Sequence, residues 1–260
     1  MPRAGRPSLF PSTTNVSLMA RLSETFFAET QKLQERVLQA NRDRLRELGA
    51  KIGASIAQGG ILHLFGSGHS AMVALEIIGR AGALVPVSGI QDPNEGRMEN
   101  LPGYGTLLVE RYARVYGMRK GELIVVVSNS GRNASPIEVA LESKKRGLSV
   151  VAVSSLEMSR ASTSAHESGK RLFEIADYVL DNGGVPGDAI VPVAGAGMKA
   201  GPTSTLTGAM LMNLLMLETV QFLHENGHDL PVLRSQNTEG GMEHNLALAE
   251  RYRGRLSRPL

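Results

Sequence analysis

The chain is 260 residues long, 42% hydrophobic and only 4% aromatic, with no cysteine, no tryptophan and a formal charge of +3. That length and apolar content suffice for one large α/β domain or two small ones, and the missing cysteine excludes disulfides, thiolate metal sites and a cysteine nucleophile. Acidic residues interleave with the basic ones, so nucleic acid is not an expected partner, and no apolar run is read as long enough for a membrane span.

Residues 1–18 carry proline, serine, threonine and arginine without a continuous apolar stretch. They read as a disordered tail rather than a secretory signal, with Met1 or Met19 as the start of translation and the cytoplasm as the expected setting. From Ala20 to Gln58 apolar residues recur at three- and four-residue steps, which predicts helix, with a break between Arg42 and Gly49 and a stop at Gly59-Gly60. So long a stripe must pack on the domain's own sheet or on a second subunit.

Ile61–Phe65 reads as the first strand, leading into Gly66-Ser67-Gly68-His69-Ser70 and a helix over Ala71–Gly79. Glycines there let a ligand approach the backbone, but the third glycine of a dinucleotide fingerprint is absent. Leu84–Val87 is the second expected strand. Ile90–Arg111 is a polar insert, with a helix from Thr106 to Val115 inside and beyond its end. Leu123–Val127 is β-branched and uninterrupted, a strand buried on both faces. It stops at Ser128-Asn129-Ser130-Gly131-Arg132-Asn133-Ala134-Ser135, after which a helix is expected from Pro136 with Ser135 as its cap. Free N–H groups and hydroxyls at a helix N-terminus make an anion site. Ser149–Ser155 and Ala176–Asp181 follow as strands, Gly183–Gly201 as a loop with Ile190–Val193 extended, and Thr203–His224 as a long apolar helix; a final short helix follows the polar stretch that ends at Asn245. Strands alternating with helices give a parallel α/β sheet whose ligands sit beyond the strands' carboxyl ends.

The pairing of Gly66-Ser67-Gly68-His69-Ser70 with Ser128-Asn129-Ser130-Gly131-Arg132-Asn133 resembles the SIS (sugar isomerase) domain, whose second turn has the form Ser-x-Ser-Gly. The likeness covers about Met19 to His244 and is nearest to a branch related to phosphoheptose isomerases. It implies one SIS domain over residues 19–260, a three-layer sandwich around a five-stranded parallel sheet of flavodoxin-like winding, and preceding helices. It also implies a sugar phosphate held by Gly66, Ser67, Gly68, Ser70, Ser128, Asn129, Ser130, Gly131, Arg132, Asn133 and Ser135, in homodimers or homotetramers with sites at subunit contacts. Members include isomerases, an N-acetylmuramic acid 6-phosphate etherase and regulators that sense phosphosugars without turnover. Arg132 stands where relatives carry an acid.

Aldose–ketose isomerisation through an enediol needs a base, suited to a carboxylate, and an acid/base group for ring opening, suited to a histidine. Glu99 and Glu76 are the leading carboxylates, with Glu95 behind them; Glu76 is the only acid on the helix after the first turn, where the resemblance places a catalytic glutamate. His69 lies in the ligand turn, and His244 sits in a polar stretch that a neighbouring subunit would present. An etherase or lyase would use the same groups, and a sensor would use none. No cluster has metal-ligand spacing, so neither metal nor cofactor is expected.

Overall fold

The computed structural model describes residues 21–258; the expected tail at residues 1–18 lies outside them. Five strands form one parallel sheet: β1 (Leu62–Gly66), β2 (Val87–Ile90), β3 (Leu123–Val127), β4 (Ser149–Ser154) and β5 (Tyr178–Asp181), in the order β2-β1-β3-β4-β5. Alternate strand residues feed two cores, as the period of two demands. Leu64, Val125 and Val151 point to one layer; Phe65, Val126 and Ala152 point to the other. The first layer holds α1 (Leu22–Ala57), α2 (Ser70–Leu75) and α7 (Ser204–Glu225), and the second holds α3 (Tyr104–Tyr116), α4 (Ala134–Lys145) and α6 (Leu172–Ile175). A short α5 (Leu156–Arg160) follows β4, and α8 (Gly241–Glu250) closes the order. This is the expected three-layer architecture.

The expected break between Arg42 and Gly49 does not occur: α1 is one helix of 36 residues. Its glycines serve the helix crossing instead of ending the helix. A Cβ on Gly49 would come within 2.6 Å of Glu218, and one on Gly53 would strike the Phe222 ring, so both small residues let α7 approach. Asn41, mid-helix, donates to the Asp181 carbonyl at 2.8 Å and accepts the Asp181 N–H at 2.9 Å. That reciprocal pair satisfies the Asp181 backbone at the end of the edge strand β5.

Other boundaries move as well, and α2 ends at Leu75 rather than at the expected Gly79. Strand β2 begins at Val87 rather than Leu84, because Leu84 and Val85 pair instead with Val232 and Pro231. Helix α4 begins at Ala134 with Asn133 as its cap, two residues before the expected start. The Gly183–Gly201 stretch contains an antiparallel hairpin, β6 (Ala189–Val193) with β7 (Met198–Pro202). Helix α7 does reach the length and hydropathy of a membrane span, against the sequence expectation, with 44% of its most apolar window buried inside the fold. It packs along α1 and, through Gly208, against Val73 of α2.

Candidate functional site

Strands β1 and β3 are parallel neighbours, with Gly66 opposite Val127. Helix α2 leaves the sheet on one face and α4 on the other, so the winding reverses between these strands and their turns part to leave a crevice. The crevice holds a cavity of about 610 Å³. Ser67, Gly68, His69 and Ser70 line it from the first turn; Ser128, Asn129, Ser130 and Asn133 line it from the second.

The second turn is built to leave donors free. Gly131 has φ +61°, a left-handed conformation natural to glycine, and a Cβ there would lie 2.7 Å from Ser159 Oγ. The Gly131 N–H folds back onto Ser128 Oγ at 3.2 Å, while Ser154 Oγ holds the Ser128 carbonyl at 2.7 Å. Among the described residues, the backbone N–H groups of Asn129, Ser130, Arg132 and Asn133 donate to no protein acceptor. The first amides of α4 itself are engaged, Ala134 by Asn100 Oδ1 at 3.3 Å and Ser135 by the Glu99 carbonyl at 2.8 Å. Anion-binding capacity therefore resides in the turn and its hydroxyls. Asn129 is held from behind, accepting from Asn182 Nδ2 at 3.0 Å and facing Met158 Sδ at 3.1 Å.

The polar insert arches over this crevice and is tied down through Asp92. Its carboxylate accepts the Gly96 N–H at 2.8 Å, the Asn94 N–H at 2.9 Å, the Tyr104 hydroxyl at 2.6 Å and the Ser67 hydroxyl at 3.3 Å. Burial pushes this carboxyl up, but the bonds from Tyr104, the two amides and Ser67 outweigh it and hold it below its ordinary range. Gly96 comes so close that a Cβ would sit 2.8 Å from the Gly68 nitrogen. From α4, the buried Glu138 carboxylate accepts the Gly103 and Gly105 amides at 2.6 and 2.7 Å, fixing the start of α3.

These contacts sort the expected site residues. Glu95, Glu99 and His69 line the cavity. Glu76 does not: it ends α2, pairs with Arg80 and accepts from Asn213 Nδ2 at 3.2 Å. His244 is half-buried on α8 with its Nε2 3.1 Å from the Val232 carbonyl, away from the cavity lining. Gly66, Gly131, Arg132 and Ser135 support the turns without lining the cavity. Ser135 Oγ is buried without a partner among the described residues, because α4 starts early enough to turn it inward.

Four lining residues had no local signal. Arg97 brings the cation that Arg132 was expected to bring; Asn182, Asp188 and Ser204 come from segments remote in sequence. Asp188 has φ +62° and its carboxylate accepts the Ser204 N–H at 2.8 Å and hydroxyl at 2.7 Å. It caps α7 from sixteen positions away, a contact that only the hairpin creates.

At the far end of the sheet, His63 is fully buried between Glu122 and Tyr112, 2.9 Å from each. Arg255 donates to both Glu122 oxygens, at 2.7 and 2.9 Å. This cluster is structural, as the buried position of His63 suggests.

Residues 25–155 match the profile of the SIS domain. A UPF0309 protein of Listeria monocytogenes is 36% identical over 232 residues, covering 89% of this chain and 97% of the relative. One from Geobacillus thermodenitrificans is 37% identical, covering 87% and 94%. Among solved structures, a phosphoheptose isomerase from Francisella tularensis shares the fold with a TM-score of 0.53 at 13% identity, over 76% of this chain and 95% of that one.

Proposed function

This chain belongs to the SIS-domain family, and from that premise we propose that it binds a phosphorylated sugar and interconverts its aldose and ketose forms. One observation carries the reading: Asn129, Ser130 and Asn133, whose amides are unengaged among the described residues, line the same cavity as Glu99 and His69, together with the hydroxyl-bearing Ser128. A phosphate dianion accepts from the turn, drawn also by the α4 dipole. The sugar then extends under the insert. There the Glu99 carboxylate takes the proton from C2 of the open-chain aldose, giving an enediolate; the O2 hydroxyl proton passes to O1, and Glu99 returns its proton to C1 to complete the ketose. His69, whose ring makes no hydrogen bond among the described residues, serves ring opening. Glu95 stands as a second carboxylate on the same loop. Homodimers or homotetramers with sites at subunit contacts remain part of this proposal, as does a single domain from residue 19 to residue 260.

The test is incubation with a panel of sugar phosphates in deuterated water, followed by mass spectrometry of the α-carbon. Substrate-dependent exchange supports an isomerase. Binding across the panel without exchange points to a sensor, and no binding overturns the reading.

A further inference from the structure

A second cavity, of about 520 Å³, lies between α2 and β2. Its lining differs in kind from the first. Ala71, Met72, Leu75, Ile78 and Ile90 make it predominantly apolar, with Arg258 as a cation in its lining. Gly68, His69 and Glu95 line both cavities, so the two adjoin at the residues proposed for chemistry. Neither the His69 ring nor the Glu95 carboxylate is pinned by a hydrogen bond or ion pair among the described residues. The partition between the cavities combines these two side chains with the Gly68 backbone, against which Gly96 packs.

We propose that this second cavity is a subsite for an apolar substituent on the sugar phosphate. The inference rests on the functional reading above, with phosphate at the Ser128–Asn133 turn and the reacting carbons beside His69 and Glu99. A substituent that leaves C1 and C2 free for the enediol, yet reaches past His69, belongs on C3, the next carbon along. A bare sugar phosphate fills the polar cavity alone and leaves the apolar surface of Met72 and Leu75 in water. A 3-O-alkyl chain covers that surface, at roughly fourfold in affinity per methylene.

The experiment is calorimetry with glucose 6-phosphate and its 3-O-methyl, 3-O-ethyl and 3-O-propyl ethers, on the intact chain and on Ala71→Leu, which fills the subsite from α2. The expected result is affinity that climbs about fourfold per added carbon in the parent and a flattened gradient in the variant. Affinity that is flat or falls along the series, while glucose 6-phosphate still binds, overturns the subsite and leaves the phosphate reading intact. Failure of every member to bind overturns the subsite, and the phosphate reading falls with it only when the whole panel of sugar phosphates also fails to bind. Should Ala71→Leu not fold, the gradient in the parent alone decides.

Discussion

Ser67 donates its hydroxyl to the Asp92 carboxylate across 3.3 Å, joining the turn after β1 to the insert that arches over it. Asp92 also gathers Asn94, Gly96 and Tyr104, so one half-buried carboxylate sets the height of Glu95 and Glu99 above the two turns. Asn at this position keeps the shape and loses the charge and one acceptor. Each charge-assisted bond contributes about 1.5–3 kcal/mol. We expect Asp92→Asn to lower kcat by roughly one to two powers of ten while phosphate affinity changes less than about threefold, since misplacing a catalytic group acts on turnover before binding. Steady-state kinetics beside calorimetry separates the two, and an equal loss in both would assign Asp92 a purely structural role.

Glu99 and Glu76 part company in the fold, and their variants should too. Glu99 faces the cavity, whereas Glu76 pairs with Arg80 and Asn213. Removing a general base costs about 10²–10⁴ in rate. Glu99→Gln should lose at least a hundredfold in α-proton exchange, and Glu76→Gln less than about threefold. The reverse ranking would move the base onto α2.

The hydroxyls of the second turn are the next point of attack. Ser128 and Ser130 line the cavity, and losing two bonds to a charged acceptor, each worth about 1.5–3 kcal/mol, should weaken sugar phosphate binding by about two orders of magnitude or more. Ser128→Ala also releases the Gly131 amide, so circular dichroism should accompany the titration to show that the fold persists. Unchanged affinity in a folded Ser128→Ala/Ser130→Ala variant would remove this turn from the site.

Acid should weaken the fold through the cluster at the other end of the sheet. Burial alone would raise the Glu122 carboxyl, but hydrogen bonds from His63, the Arg119 amide and Arg255 bring it down to about 2. An unfolded glutamate titrates near about 4.3, so this contribution is complete above that pH and is lost as pH falls towards 2. Burial lowers His63 as well; below about 6.5 the unfolded chain takes up a proton that the folded one refuses. Both signs agree, and the thermal midpoint should decline progressively from pH 6.5 downward. Glu122→Gln should lose the steep part of that decline below about pH 4.3 and cost about 3 kcal/mol at neutral pH by leaving the part-buried Arg255 without its counter-charge. Differential scanning calorimetry at stepped pH reads both effects.

The strands and the two turns that line the cavity were legible because local patterns specify them. Val125 and its neighbours are apolar on both faces, and Ser128 to Asn133 breaks that run with small hydroxyl residues. Gly49 misled, because a glycine in a helix signals a break locally and a close crossing only once Glu218 is in place. Asp188 was invisible for a related reason: its cap on Ser204 depends on a hairpin whose strands contain Pro192 and Pro202. Residues of the first turn could be named in advance, whereas the choice between Glu76 and Glu99 depended on the direction in which the insert folds back.

The pairing of β1 with β3 has a consequence for how long the molecule survives. The two turns meet only after the chain between them has folded back, so no partly assembled sheet offers the full set of donors. A sugar phosphate held between the turns as proposed would therefore favour the finished fold over any partly assembled one. At a hundred times its Kd such a ligand would deepen global stability by about 2.7 kcal/mol, suppressing the transient openings that proteases attack. The supply of ligand would then govern the lifetime of the protein as well as its occupancy, and a chain deprived of ligand would be cleared faster than its occupied copies.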